Sequence, residues 1–523
     1  KPHSVANPAE RTEVREYLIE RLESMGADTV MQFRYDSIVG PQNKHVEYTF
    51  DAVNLLAEFS PASETVSGTD LMLVAHYDSR YSQPMPRDTV WSYGAADDGY
   101  GIGVILETVS LALKNRTEWK QGIKVLFTDA EEPGMKGMKA IWENNREVFD
   151  NVGLVLNVEA RGTWGPALLF EACPGNAKVQ ELYAYTAEYP FTYSLTTVVY
   201  KFLPMFTDFT IVKDELPGLN FSNIADVNHY HTDLDNFSNV NAKSIQHYGS
   251  QVLPVAMDYV TGEEYSDKDY FKSDKDATNF TIPLLGFFNF SKTGYKVVNA
   301  VIFLVFLLLF ALEGVRGRIK ASKVFKNSLV VLFVGIGVLA FGELLAYVCS
   351  LIAGAKFKPF GIVQGVGFDN AAMIVATVVI AAVTVLVYIV QRSKAVRQVS
   401  GSMRASAAVN AASKHAYNVL YGTLALMLVL SIALLLAIGE NLMFLIPLTF
   451  ATIAMVLYHM TSLKVWMVLA IGMTLLHAFS FYFALSMALT IGAYGAVAML
   501  AFFDLMVLIP LADLYMISPA KKK

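Results

Sequence analysis

The chain has 523 residues, 54% of them hydrophobic and 17% charged, and a formal net charge of −6. That apolar content excludes a disordered chain, and two cysteines exclude a disulfide-built scaffold. The acidic balance argues against a nucleic-acid partner. The totals also hide a division. Residues 1–295 hold 24 Lys+Arg against 41 Asp+Glu, a net of −17, whereas residues 296–523 hold 17 against 6, a net of +11. The first part reads as an acidic domain long enough for a large core. The second is a series of apolar runs longer than ~18 residues, the length that crosses a bilayer. We expect a soluble domain over residues 1–265, a linker over 266–295, and a transmembrane domain of about seven helices over 296–523.

From the N-terminus, Val14, Tyr17, Leu18, Leu22 and Met25 recur at helical spacing between Pro8 and Gly26, where the glycine stops the helix. Leu71–Ala75, Ile123–Thr128 and Gly153–Val158 are short, nearly continuous apolar runs, the pattern of strands buried on both faces of a parallel sheet. Gly101–Lys114 and Gly137–Arg146 read as the helices between them. Strand, helix, strand, helix, strand predicts an α/β sandwich.

Beyond it lie seven spans at about 297–315, 327–354, 372–391, 416–438, 441–460, 464–487 and 489–516, forming an all-α polytopic transmembrane bundle. Arg316, Arg318, Lys320, Lys323 and Lys326 follow the first span. Arg392, Lys394, Arg397, Arg404 and Lys414 follow the third, Lys464 precedes the sixth, and Lys521, Lys522 and Lys523 come last. The intervening loops carry only Lys356 and Lys358, so the positive loops are expected to be cytoplasmic and the acidic domain extracytoplasmic. Such a domain needs a signal peptide or an earlier anchoring helix; one earlier helix would make eight spans. Glu343, His477 and Asp504 fall inside spans and are expected to face the bundle interior and pair. Cys173 and Cys349 fall in different compartments, so no disulfide is expected. Few N-x-S/T sequons (Asn115, Asn220, Asn236, Asn279 and Asn289) and no disulfides favour a bacterial plasma membrane, with endoplasmic reticulum or vacuole as the alternative.

The chemistry is concentrated in five segments of the first half. An apolar strand, Leu71–Ala75, delivers His76, with Asp78 two residues on, which is how an imidazole is offered to a metal while a carboxylate orients it. Ala96-Asp97-Asp98-Gly99, Ala130-Glu131-Glu132-Pro133-Gly134, Asn157-Val158-Glu159-Ala160 and Tyr230-His231-Thr232 follow in order. His76, Glu131, Glu132 and Glu159 each fall at the C-terminal end of a predicted strand, where open α/β sheets hold their ligands. A lone His-x-Asp is more often a surface pair, and a Glu-Glu pair a solvated face. Five such segments in order read as a two-zinc hydrolase site.

These segments, with Gly94-Ala95-Ala96-Asp97-Asp98-Gly99-Tyr100-Gly101 and Tyr230-His231-Thr232-Asp233-Leu234-Asp235, resemble the co-catalytic zinc aminopeptidases of peptidase family M28 over roughly residues 1–260. The polytopic second half is similar in layout to the family's membrane-bound branch, the vacuolar membrane protease and the endoplasmic reticulum metallopeptidase. The resemblance implies a mixed, largely parallel sheet sandwiched by helices, and two zinc ions. His76 and Glu159 would hold one ion, Glu132 and His231 the other, and Asp97 would bridge them. The family often has Asp where this chain has Glu159. Asp78 would orient His76 and Asp235 would orient His231. Asp98 follows the bridging residue, at a peptide bond that is often cis in the family. Glu131 would be the general base, and Tyr230 would hydrogen-bond the tetrahedral intermediate.

The function so implied is a membrane-anchored aminopeptidase acting on short peptides, its partners being a peptide substrate and the lipid bilayer. Carboxypeptidase specificity, a non-catalytic receptor ectodomain, a transporter fed by the peptidase, and a single-zinc glutaminyl cyclase are the alternatives. Loss of ligands would mark a receptor, and none is lost. His229 could compete for metal, but the family pattern uses the histidine after the tyrosine. Arg161 and Trp164 could line the substrate cleft, Asp208 could meet a substrate amine, and Phe202, Phe206 and Phe209 read as core or pocket wall.

Overall fold

Four strands with no polar-facing side set the architecture of the N-terminal unit. In the computed structural model, which describes residues 1–40, 49–63, 68–80, 91–200, 206–398 and 405–517, the chain begins with α1 (Pro8–Ser24), β1 (Thr29–Val39), β2 (Thr49–Phe59) and β3 (Asp70–His76). It continues through α2 (Gly99–Ala112), β4 (Gly122–Thr128), α3 (Lys136–Asn144), β5 (Val152–Ala160) and β6 (Trp164–Ala172). Then come α4 (Ala177–Thr186), α5 (Ser194–Tyr200), α6 (Phe209–Val212), β7 (Gly218–Ala225), α7 (Ala242–Thr261), β8 (Ala277–Ile282) and β9 (Gly286–Ser291). Every residue of β4, β5 and β7 is buried, as is all of β3 after Asp70. Strands this apolar need cover on both faces, and parallel pairing between helical layers provides it.

The sheet order is β1-β2-β4-β3-β5-β7-β6. β4, β3, β5 and β7 run parallel, while β2 joins β4, and β6 joins β7, antiparallel. The sheet is therefore mixed and largely parallel. From β3 the chain goes to β4 on one side and to β5 on the other. That reversal opens a crevice at the C-terminal ends of the strands, where α/β sheets bind ligands. The helix predicted to end at Gly26 does so: the glycine is left-handed (φ 85°), and its N–H donates back to the Glu23 carbonyl at 2.9 Å.

The stretch expected as a linker, 266–295, is not one. β8 and β9 pair with each other, and Phe280 bridges to Tyr193. Apolar alternation along Phe280, Ile282, Phe288 and Phe290 supports a ribbon, and the Phe280 ring stacks on those of Phe288 and Phe290. The chain divides into Lys1–Thr281 with Leu285–Lys292, and Ile282–Leu284 with Thr293–Lys523.

The second unit is all helical: α8 (Lys292–Val315), α9 (Ala321–Ala353), α10 (Asp369–Arg397), α11 (Ala405–Ile438), α12 (Leu442–Thr461), α13 (Val465–Leu489) and α14 (Tyr494–Met516). Among the described residues, six continuous helical runs are long and apolar enough to cross a membrane. The last, Val465–Met516, breaks at left-handed Thr490 (φ 55°) into α13 and α14, each longer than the ~20 residues a span needs. Only 22% of the apolar windows of α8, α9 and α10 is buried in protein, which leaves rows of Leu, Val and Ile for lipid to cover. The chain is a multi-pass membrane protein. α11 starts some eleven residues before the predicted span, because Ala405–His415 continues the helix as a polar turn series. Asp504 is buried and accepts from Tyr482 Oη at 2.5 Å, and His477 is buried against the Phe481 ring. Glu343 differs from expectation: both its carboxylate oxygens are buried without a hydrogen bond among the described residues. Phe202, Arg404, Lys521, Lys522 and Lys523 lie outside the described residues.

One buried ion pair ties the first helix to the site. Arg11 Nη1 lies 3.3 Å from Asp129 Oδ1, both buried, and Arg11 Nη2 donates to the Asp51 carbonyl at 2.7 Å. Asp129 accepts from the Val53 N–H at 2.8 Å and immediately precedes Ala130-Glu131-Glu132. Arg11→Met leaves that carboxylate buried alone. It is expected to destabilise the unit by about 3–5 kcal/mol, with part recovered in Arg11→Met/Asp129→Asn. Thermal unfolding of the detergent-purified variants checks this, and an unchanged melting temperature for the single variant would contradict it.

Candidate active site

The crevice gathers the predicted ligands from separate elements. His76 is the last residue of β3, Glu159 the penultimate residue of β5, and Glu132 follows β4. Asp97 sits on the connection from β3 to α2, and His231 follows β7. His76 Nε2 lies 3.2 Å from Asp97 Oδ1 and 3.6 Å from Glu159 Oε2. His231 Nε2 lies 3.3 Å from Asp97 Oδ2 and 3.1 Å from Glu132 Oε2. The two oxygens of Asp97 thus face two separate sets, His76/Asp97/Glu159 and Asp97/Glu132/His231. Within each set the ligand atoms lie within 4.8 Å of one another.

Backbone geometry around the ligands is specific. Ala130, one residue before Glu131, and His231 itself are left-handed (φ 55° and 60°), a conformation costing of order 1 kcal/mol for residues with a side chain. The Asp97–Asp98 peptide bond is cis. Asp98 caps α2, its Oδ1 accepting from the Gly101 N–H at 3.0 Å, and a Cβ at Gly101 would collide with that carboxylate. Its Oδ2 reaches the His76 N–H at 3.4 Å.

Two orienting roles differ from expectation. His76 Nδ1 is 2.9 Å from the main-chain carbonyl of Asp78 and 3.5 Å from its carboxylate. The carboxylate instead accepts from the N–H groups of Glu131 (2.9 Å) and Glu132 (3.3 Å), so Asp78 holds both sides of the site. Asp235 does not orient His231. Its carboxylate accepts from the N–H groups of Ala96 (2.7 Å) and Asp97 (3.3 Å) and from Ser92 Oγ (3.1 Å), which fixes the bridging residue. Main-chain donors on a tight turn lie closer to it than the imidazole does. His229 turns away, its Nδ1 2.7 Å from Thr163 Oγ1. Phe209 belongs to the core and Phe206 is exposed. Asp208 is buried, its Oδ2 accepting from Thr128 Oγ1 and its Oδ1 without a partner among the described residues.

Two contributors carry no sequence signal. Arg80 Nη1 donates to the Glu132 carbonyl at 2.5 Å and lies 3.3 Å from Glu132 Oε2. Asn157 Nδ2 donates to Glu159 Oε1 at 3.2 Å and to Asn220 Oδ1 at 2.9 Å. The first contact joins residues 52 apart through a loop, where spacing says nothing.

The electrostatics fit a cationic occupant. Burial pushes Glu131 and Asp98 far above the usual carboxylate range, with Glu159 adding to each. Burial raises Glu132, and it drives Glu159 up to about 8 against the pull of His76. Asp97 is buried too, yet the neighbouring imidazoles of His231 and His76 hold it low. Burial would lower His231, but Glu132 and Asp97 carry it up to about 9. Asp97 Oδ2, Glu132 Oε1 and His231 Nε2 are buried without a hydrogen bond among the described residues. So many carboxylates facing two imidazoles are the donor set of nitrogen- and oxygen-bound dications.

Comparison with known proteins agrees. Residues 54–256 match the family described as Peptidase family M28. Those residues are a peptidase family M28 domain. The chain is 26% identical over 316 residues to a vacuolar membrane protease of Candida dubliniensis, covering 59% of this chain and 31% of the relative. It is 24% identical over 268 residues to endoplasmic reticulum metallopeptidase 1 of Mus musculus, covering 49% and 28%. A Zn-dependent exopeptidase of Parabacteroides distasonis aligns in structure with a TM-score of 0.38 at 19% identity, covering 49% of this chain and 92% of that one. The chain spans a third or less of the length of the curated relatives it matches.

Protons and metal compete in this M28 site. Glu159 and His231 both bind their proton more tightly than in the unfolded chain. The stability that those protons give the metal-free protein is complete below the ordinary values of 4.5 and 6.5, and is lost as pH rises through about 8 and 9. Zinc held by these two groups would displace the same protons, so its affinity should rise with pH, about tenfold per unit for each proton displaced. The increase in melting temperature on adding zinc is therefore expected to be larger at pH 8 than at pH 6. Equal increases would contradict the assignment of these two groups as ligands.

Proposed function

We propose that the chain is a membrane-anchored di-zinc exopeptidase that removes N-terminal residues from short peptides. The observation that carries this reading is Asp97, whose two carboxylate oxygens face two separate donor sets. One zinc would be held by His76, Glu159 and Asp97, the other by Glu132, His231 and Asp97. Zinc so held supplies Lewis acidity, lowering the pKa of water and polarising the scissile carbonyl.

The chain's own groups do the rest. Glu131 adjoins the ligand Glu132, belongs to neither donor set, and sits in a site where burial strengthens its hold on a proton. It takes the proton of the attacking water and passes it to the departing amine. Tyr230 stacks on the His231 ring (centroids 3.6 Å apart) and, as a buried phenol kept neutral, donates its O–H to the developing oxyanion. The unpartnered Oδ1 of Asp208 is an acceptor for the substrate's ammonium group, the feature that favours an aminopeptidase over a carboxypeptidase. Two donor sets also weigh against a glutaminyl cyclase reading, which needs one ion.

Glu131→Gln is expected to lower kcat on aminoacyl fluorogenic substrates by about 10²–10⁴-fold, with about two zincs per chain retained. Undiminished turnover would remove Glu131 from this role, and one zinc per chain would favour the cyclase reading.

For the host we propose a bacterial plasma membrane, on the few sequons and the two unpaired cysteines, with the peptidase domain extracytoplasmic, on the strength of the basic loops following α8 and α10. Protease added to intact spheroplasts should then cleave the N-terminal unit, and full protection would reverse the orientation.

A further inference from the structure

The turn between β5 and β6 carries a cation that the proposed chemistry does not use. Its backbone is pinned from several directions. Asn223 accepts the Arg161 N–H through its main-chain carbonyl (3.2 Å) and its Oδ1 (3.2 Å). Asn223 Nδ2 donates to the carbonyls of Gly162 (2.8 Å) and Trp164 (3.0 Å). Tyr100 Oη donates to the Thr163 carbonyl at 2.7 Å, and Thr163 Oγ1 meets His229 Nδ1 at 2.7 Å. Gly162 takes a φ of +132° that only glycine adopts easily, and a Cβ there would collide with the Ala225 carbonyl.

This much anchoring fixes where Arg161 leaves the chain, two residues past the ligand Glu159. Yet its guanidinium makes no hydrogen bond and no ion pair with any described residue, and its Nε is buried. Its electrostatic neighbours are two phenols, Tyr230 and Tyr200. Tyr200, at the end of α5, has a buried hydroxyl without a hydrogen bond among the described residues, and it senses Glu159 and Glu131 as well as Arg161. Arg161 and Tyr200 therefore border the same crevice as the donor sets. Arg161 is half-buried, and its sealed Nε forfeits a hydrogen bond that an arriving anion would restore. A planar fork of donors beside a phenolic O–H fits a carboxylate.

We propose that Arg161 and the Tyr200 hydroxyl form a subsite that takes a carboxylate of the bound peptide. This rests on the exopeptidase reading and narrows its substrates to short peptides bearing a negative charge near the scissile bond. The charge comes either from a free C-terminus, as in a dipeptide, or from an acidic side chain. Arg161 is a specificity-determining residue here, rigidly presented by its turn, so little ordering opposes binding.

The test uses equilibrium binding by the full-length, zinc-loaded Glu131→Gln protein in detergent, titrated calorimetrically with Leu-Leu, Leu-Leu-amide and Leu-Glu-amide. Leu-Leu should bind at least about tenfold more tightly than Leu-Leu-amide, as for hydrogen bonds to a charged group. A preference for Leu-Glu-amide over Leu-Leu-amide, in place of that one, assigns the carboxylate to a side chain. In Glu131→Gln/Arg161→Met either preference should vanish, and Arg161→Lys, which keeps the charge without the fork, should retain part of it. Equal binding of all three peptides by the parent, no binding of any, or a preference that survives Arg161→Met would overturn the proposal. Carboxylate-selective binding by a wild-type protein that hydrolyses none of the three would overturn the hydrolase reading and leave this subsite standing.

Discussion

Uncompensated negative charge, held out of water at the ends of parallel strands, is what the N-terminal unit is organised around. Asp97, Asp98, Glu132 and Glu159 are buried beside two imidazoles and one arginine, Arg80. In an apolar enclosure each such carboxylate costs several kcal/mol unless it is paired. The fold offers two devices against that cost. One is neutralisation by protons, visible in how strongly Glu159 and Glu131 hold theirs. The other is metal binding, for which His76/Asp97/Glu159 and Asp97/Glu132/His231 are suitably spaced. Either way the sheet must be stable without help from the site, and its four buried central strands provide that stability.

The same constraint explains the supporting contacts. A carboxylate facing a donor set must be aimed as well as buried, and two of the segments that bear one are tied by a second acid that accepts main-chain N–H groups: Asp78 ties the Glu131-Glu132 turn and Asp235 ties Ala96-Asp97. These acids stand one layer back from the ligands. Main-chain donors satisfy them locally, which leaves the outer imidazole nitrogens to other acceptors. This is why Asp235 serves Asp97 and not His231, and why the main-chain carbonyl of Asp78 lies closer to His76 Nδ1 than its carboxylate does.

What the sequence disclosed follows from the range of the forces involved. Strands β3, β4 and β5 and helices α1, α2 and α3 were legible because burial on both faces and 3.6-residue periodicity are written in contiguous residues. The spans were legible because lipid demands length and apolarity. The five segments around the donor sets were legible because strand ends carry their ligands with them. Contacts set by tertiary approach were not legible. Arg80 reaching Glu132, Asp235 gripping the Asp97 turn, and the ribbon formed by β8 and β9 all depend on which loops meet. Loop meeting has no local period.

Arg161 shows how far that limit extends. In sequence it is only a residue near Glu159, as apt to brace a loop as to meet a ligand. In the structure its main chain does the bracing: Asn223, Tyr100 and His229 all hold the turn through backbone groups or Thr163, and none engages the guanidinium. A structural arginine meets neighbouring carbonyls or a carboxylate, as Arg11 meets the Asp51 carbonyl and Asp129. The two arginines lie in one domain and are treated differently by it. Arg11 donates to the Asp51 carbonyl, pairs with Asp129 and serves the fold. Arg161 has its main chain fixed, makes no hydrogen bond or ion pair with any described residue, and is set among phenols beside a cluster of acids. That arrangement is hard to sustain for stability's sake and is readily explained if the missing acceptor arrives with the substrate.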